Sequence, residues 1–521
     1  MIIAIAVAVV VVAIVVALSS VSDRLGIAPP LILMVVGAGV SFLPFLTIPV
    51  IEPHWILVVI LPPLLYGVAI SMPTVDLRRD FSAVGALAVI LVVISAVIFG
   101  FIIHWIIPDI SVALGVALGA ILSPTDAAAT TIVKRMGVPS RVGLILSGES
   151  LLNDATALVL LRSAIAATAA TISFWEMVGQ FIWAVIAAVA IGIVVGWAGV
   201  RVRRLVHQPA PATAISLLIP FVAYVPSELI DTSGFVAVVA AGLTAAQLGP
   251  KHLDARQRVS ERENWHTIEF LLEGAVFLGI GLELYSLVVD VRNTRDTLQE
   301  AVAIAALSML ILLVLRLIFT SILVQQTTAN IKLRARTYAR WRRLRQQTDE
   351  EMPIRRREQA FRKQRQRLAN RMDRADKATQ IRLKTRIDRL QARFRRYYYD
   401  VDHLLREPMG MKHAAALTWA GMRGVVTLGA AQTLPWEAPH RSLLILVAFM
   451  VAAGSLVLQG GTLPWVIKLL GLANADATPE GEWPRLLEEL QQAEEECPLV
   501  ESDTDEQKAL AKLHARRDTL L

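Results

Sequence analysis

Long apolar runs, separated by short polar punctuation, fill the chain from its start to about residue 325 and return between residues 411 and 470. A bilayer core about 30 Å thick takes roughly 20 apolar residues per helical crossing, and the runs have that length. The pattern predicts spans near residues 2–18, 27–46, 55–72, 83–107, 111–133, 142–165, 174–200, 212–230, 233–249, 267–289, 302–325, 411–432 and 441–470. Helices are the expected form, because a segment inside lipid must satisfy its backbone donors and acceptors internally. The third run is short, and the last is long enough to tilt or break. The expected class is an all-α polytopic membrane protein with about 13 transmembrane helices.

Composition agrees: 55% of the 521 residues are hydrophobic and 18% charged. The formal charge of +7 hides an uneven distribution. Residues 331–410 carry 25 Lys/Arg against 10 Asp/Glu, residues 471–521 carry 5 against 13, and the remainder holds 21 of each sign. The expected organisation is a membrane part in two pieces, 1–328 and 411–470, with a cytoplasmic basic helical loop at 329–410 and a cytoplasmic acidic tail at 471–521. Loops after odd-numbered spans hold Arg24, Arg78, Arg79, Lys134, Arg135, Arg141, Arg201, Arg203, Arg204, Lys251, Arg256, Arg258 and Arg262, whereas those after even-numbered spans hold little beyond Arg292, Arg295 and Arg441. Basic residues gather on the cytoplasmic side, which puts the N-terminus outside and the C-terminus inside. Met1–Leu18 has no Lys or Arg before it and reads as a retained first span, although Ala17–Ser20 resembles a cleavage site. The basic loop suits anionic lipid headgroups. It has no recognition motif for nucleic acid, and Tyr397–Tyr399 is its lone aromatic cluster. Cys497 is the single cysteine, so no intrachain disulfide is possible.

Ionisable residues inside spans are costly and point to function. In Leu122-Ser-Pro-Thr-Asp-Ala-Ala-Ala-Thr130 of the fifth span, Pro124 removes a backbone donor. A break of that kind is tolerated in a bilayer only against protein or a cavity. Asp126 lies just beyond it, where a new helix N-terminus favours negative charge. The bland alternative is a capping Asp at a kink. The sixth span opens Gly148-Glu-Ser-Leu-Leu-Asn-Asp154. Ser150 and Asp154, four apart, share a helix face, and Glu149 and Asn153 form the neighbouring stripe. Asp154 has no basic neighbour in sequence, and a carboxylate held away from water is destabilised as a bare anion. Proton and cation then compete for it. Arg316 sits amid Leu-Val-Leu-Arg-Leu-Ile-Phe and needs a buried acidic partner. Arg423 is flanked by Gly421 and Gly424, which suggests a second interrupted helix in the twelfth span. Breaks in spans five and twelve fall in oppositely oriented elements, as inverted repeats require.

Ser-Pro-Thr-Asp at 123–126, Gly-Glu-Ser-Leu-Leu-Asn-Asp at 148–154, Phe277-Leu-Gly-Ile-Gly-Leu282 and Gly-Met-Arg-Gly at 421–424 together resemble the cation:proton antiporter-1 family, which includes the NhaP-type antiporters and the animal sodium/proton exchangers. The resemblance covers about residues 1–470. It implies a thirteen-span fold with an interface domain and a moving core domain, two broken and crossing helices, a homodimer and elevator-like alternating access. By motif, Asp154 would bind the ion and the proton, and Asn153 would mark an electroneutral member. Ser150, Thr125 and Asp126 would line the ion site, Glu149 would be bridged to Arg316, and Arg423 would stabilise the crossing. Many relatives carry an acidic residue after the Pro-Pro-Leu-Leu-aromatic run of the third span, whereas here Tyr66 is followed by Gly67. Glu273, in the tenth span, is an extra carboxylate that either compensates or faces water.

The expected activity is exchange of a monovalent cation (Na+, with K+ and Li+ as alternatives) for H+ at Asp154, without a cofactor, in the inner (plasma) membrane, serving pH homeostasis. The sequence holds no phosphate-cradling glycine loop, no metal-spaced Cys/His set and no nucleophile elbow, so no enzyme signature accompanies it. A membrane anchor or sensor, signalling through the basic loop and acidic tail, is the reading from a different class.

Overall fold

A computed structural model describes residues 2–25, 29–43, 56–126, 128–169, 174–206, 208–293, 298–350 and 409–473. Among these residues the chain is all-helical. In chain order the helices are α1 (Ile2–Leu25), α2 (Pro29–Ser41), α3 (Ile56–Ser71), α4 (Thr74–Ile106), α5 (Val112–Leu122), α6 (Ala128–Arg135), α7 (Ser140–Ala169) and α8 (Phe174–Arg204). They continue with α9 (Pro209–Leu229), α10 (Gly234–His252), α11 (Ala255–Asn293), α12 (Leu298–Glu350), α13 (Met411–Trp419), α14 (Val425–Ala431) and α15 (Arg441–Leu469). Seven of these described helices, α4, α7, α8, α9, α11, α12 and α15, are long and apolar enough to cross a membrane; apolar parts of α1, α2, α3 and α5 are shorter.

The predicted runs five and twelve are each split, into α5 and α6 around Pro124 and into α13 and α14 around residues 420–424. The long last run is one helix loosened by a π-helical turn at Leu456–Gly460, and α3 and α4 hold similar turns at Ile56–Ile60 and Ala86–Leu91. An uncapped i→i+5 turn leaves no hydropathy signature, so the apolar pattern could not place these.

The chain divides into two units, residues 1–324 with 411–475 and residues 325–410 with 476–521. In the first, close helix crossings rest on missing side chains. α2 lies on α11 where Gly37 faces Gly281: a methyl on Gly37 would meet the Leu278 carbonyl oxygen at 2.5 Å and the Gly281 Cα at 3.1 Å. Small residues at such crossings let two backbones approach within lipid, where packing rather than the hydrophobic effect holds helices together. Of the second unit, the described part is the end of α12 and residues 409–410, where the Thr328 hydroxyl donates to the Met409 carbonyl at 2.8 Å. The expected remainder of the basic loop and the acidic tail lie outside the described residues.

Two arginines counted above as loop charges are buried anchors, which corrects that part of the charge reading. Arg141, 2% exposed, grips Asp80 of α4 through Nε and Nη2, the latter at 2.6 Å. Arg203 of α8, 1% exposed, pairs with Glu261 of α11 at 2.5 Å. Glu261 also accepts from the Ser216 hydroxyl of α9 (2.6 Å), and that hydroxyl accepts from the Trp265 indole N–H (3.1 Å). The first turns of α11 are thereby tied to two neighbours.

Candidate functional site

The site is built where the two interrupted runs meet. α5 stops at Leu122 because Pro124 cannot continue the ladder. The chain runs irregularly through Ser123–Asp126, and α6 restarts at Ala128, whose amide donates to the Asp126 carboxylate at 2.8 Å. Asp126 is thus the N-terminal cap of α6, the negative group that a helix start favours. On the other run, Met422 leaves its carbonyl free of helix, and the Asp126 amide takes it at 2.7 Å. Arg423 answers in the opposite direction: its Nε donates to the Leu122 carbonyl at the end of α5 (3.1 Å), and its amide donates to the Ser455 hydroxyl of α15 (2.8 Å). Backbone groups orphaned by each break are satisfied by the other, as a membrane interior demands.

Gly424 is required here for space, since its φ of −135° is open to any residue. A Cβ at this position would overlap the Asp126 carboxylate. Gly424→Ala is therefore expected to displace the α6 cap and destabilise the crossing by about 1–3 kcal/mol. The check is the thermal midpoint of the detergent-solubilised variant, and an unchanged midpoint would show that the crossing tolerates the methyl.

α7 supplies the chemistry. Glu149 (1% exposed) is clamped by both terminal nitrogens of Arg316 from α12, Nη2 at 2.9 Å, while Arg316 Nε donates to the Leu417 carbonyl of α13 at 3.1 Å. Thr125 joins them: its hydroxyl donates to Glu149 (3.3 Å) and accepts from the Asn153 amide (2.8 Å). The stripe of Glu149 and Asn153 thus faces the α5–α6 break and the arginine. The stripe of Ser150 and Asp154 faces a cavity of about 890 Å³, lined also by Thr125, Asp126 and Gly424. The 3.6-residue period places these two pairs on separate faces, and their neighbours differ accordingly.

Asp154 is 8% exposed and makes no hydrogen bond or ion pair among the described residues. The charged side chain acting on it through space is another carboxylate, Asp126. The arginines that could have neutralised it are committed elsewhere, Arg316 to Glu149 and Arg423 to backbone carbonyls. Among the described residues no three His, Cys, Asp or Glu side chains converge as a metal-holding group. One carboxylate with hydroxyl and backbone oxygens suits a weakly held monovalent ion better than a chelated divalent one.

Two acidic groups extend the wall. Glu273, singled out above, lines the cavity, and so does Glu269, one turn earlier on α11. Glu269 escaped the sequence reading, although the i, i+4 acidic pair in Glu269-Phe-Leu-Leu-Glu273 was its available signal.

Comparison with known proteins gives a consistent picture. The family described as sodium/hydrogen exchanger, transmembrane, matches residues 9–346. An uncharacterised Na+/H+ exchanger of Mycobacterium tuberculosis is 25% identical over 457 residues, covering 85% of this chain and 70% of that one. The uncharacterised Na+/H+ exchanger YjcE of Escherichia coli is 34% identical over 284 residues, 52% of this chain and 51% of its own. The structure of the sodium proton antiporter MjNhaP1 from Methanocaldococcus jannaschii at pH 8 superimposes with a TM-score of 0.63 at 16% identity, over 90% of this chain and 99% of that one. That likeness shows a shared fold.

Proposed function

Because the chain belongs to the sodium/hydrogen exchanger family of multi-pass membrane proteins, we propose that it exchanges a monovalent cation, Na+ in the first instance, for protons at Asp154 by alternating access. One observation carries this reading: a carboxylate that is almost wholly buried, unpaired among the described residues and set in the wall of a large cavity. A bare anion there is costly. Either a cation or a proton relieves the cost, and both cannot do so together, which couples their movements.

In the proposed cycle the cation enters the cavity and binds Asp154 with the Ser150 hydroxyl and oxygens around Thr125 and Asp126. The neutralised site then changes its exposure, the ion leaves, and a proton takes its place. Asn153 holds Thr125 without adding a charge, which supports an electroneutral exchange of one cation for one proton. The cavity wall includes Lys134, Arg135 and Arg262, residues of the side read as cytoplasmic, so this conformation is taken to face inward. Thirteen crossings, inverted repeats, an external N-terminus, the cytoplasmic loop and tail, plasma-membrane residence and a homodimer complete the proposal. A role as transporter rather than enzyme follows from the family.

K+ in place of Na+ is the second reading, favoured by Gly67, where the third span offers no carboxylate. The test is fluorescence of a pH probe inside proteoliposomes, titrated with Na+, Li+ and K+ in turn. Cation-dependent dequenching supports antiport, and its concentration dependence ranks the ions. Current without proton movement, or no response to any of the three, would overturn it.

A further inference from the structure

Gly67 of α3 faces Glu269 of α11 so closely that a Cβ there would collide with the Glu269 carboxylate, meeting its Cδ and Cγ at 3.0 Å. The missing side chain is therefore a recess, and the Glu269 carboxylate occupies it. The Glu269 Oε1 atom is sealed from solvent and has no hydrogen-bond partner. Four residues on, Glu273 faces the same cavity and is acted on by both Glu269 and Asp126. Neither glutamate makes an ion pair or hydrogen bond among the described residues. Asp126 lines the same cavity as Asp154, which is itself more than nine-tenths buried and without a hydrogen-bond or ion-pair partner among the described residues. Glu269, Glu273, Asp126 and Asp154 thus line one and the same cavity.

Half-buried carboxylates without donors are unfavourable unless something positive visits them. Close carboxylates on the wall of a partly water-excluding cavity also raise the local cation concentration. The packing of α11 holds this pair in place: Trp265, one turn before Glu269, is completely buried and its ring sits 5.0 Å from that of Tyr66, the residue before Gly67.

Resting on the antiport reading above, we propose that Glu269 and Glu273 form a receiving station for the monovalent cation, loaded from the cavity before Asp154, and that Gly67 exists to admit the Glu269 carboxylate. The station sets the apparent cation affinity; Asp154 performs the exchange.

The experiment is the same proteoliposome assay, titrated with Na+ for wild type, Glu269→Gln, Glu273→Gln, Glu269→Asp and Gly67→Ala. Each glutamine variant is expected to raise the half-saturating Na+ concentration by roughly three- to tenfold, with a smaller effect on the maximal rate. Glu269→Asp recovers part of the shift. Gly67→Ala, which evicts the carboxylate without removing it, gives a shift like that of Glu269→Gln, and Gly67→Ala combined with Glu269→Gln is no worse than either single variant. Sodium-dependent thermal stabilisation in detergent is expected to move to higher concentration in the same variants. Unmoved half-saturation in both glutamine variants, or a fall in maximal rate alone, would overturn the station while leaving the antiport reading intact. Absent exchange in the wild type would sink both.

Discussion

Asp154→Asn is expected to abolish sodium-driven proton movement in everted vesicles, a fall of roughly 100-fold or more to the level of passive leak, while the protein still accumulates in the membrane. The reason lies in what surrounds the side chain. No described arginine or lysine pairs with Asp154, so its charge can be removed without stranding a cation. The near-isosteric amide keeps the packing on α7 and lacks the anion that proton and metal ion share. Activity and stability are therefore predicted to separate completely at this position. Exchange at the wild-type rate in Asp154→Asn would overturn the assignment of the site. Loss of the folded protein instead would mean that the carboxylate is held in an ion pair.

The second large effect runs the other way. Glu149→Gln is expected to cost about 3–5 kcal/mol of stability, because it leaves the Arg316 guanidinium buried with half its clamp. Both partners are almost entirely hidden, Glu149 at 1% and Arg316 at 3% exposed, and Arg316 also holds the Leu417 carbonyl before the second break. The variant should be lost from the membrane fraction, or show a sharply lowered melting midpoint in detergent by fluorescence-detected size exclusion. The double variant Glu149→Gln with Arg316→Met should regain much of the folded protein, since no bare charge then remains. Equal loss in the double variant would show that the arginine serves the backbone more than the carboxylate.

The contrast between these two acids, five residues apart, is partly legible without any coordinates. Pro124 and the Gly421/Gly424 pair announce the interruptions, because both act locally on the backbone. Helical periodicity separates the Ser150–Asp154 stripe from the Glu149–Asn153 stripe for the same reason. An arginine amid leucines demands a partner, and the motif resemblance offers Glu149 to Arg316. What could not be read is side-chain pairing between distant helices. Arg141 and Arg203 stand at helix ends and look like loop residues, yet each is buried against an acid about 60 residues away in sequence, Asp80 and Glu261 respectively. Glu269 was hidden for a similar reason. Its meaning depends on the recess at Gly67, which is a property of two surfaces meeting.

The tie between Arg203 and Glu261 has a mechanical consequence. Glu261, Trp265, Glu269 and Glu273 follow one another every fourth residue, so they form a row that winds by about 40° per step around α11. Each residue of slippage would turn that row by about 100° and carry Glu269 and Glu273 away from the cavity they line. Clamping its upper end therefore fixes the azimuth of everything below. With α11 held from spinning, its acidic row keeps one orientation toward the cavity whose wall also carries Asp154 of α7.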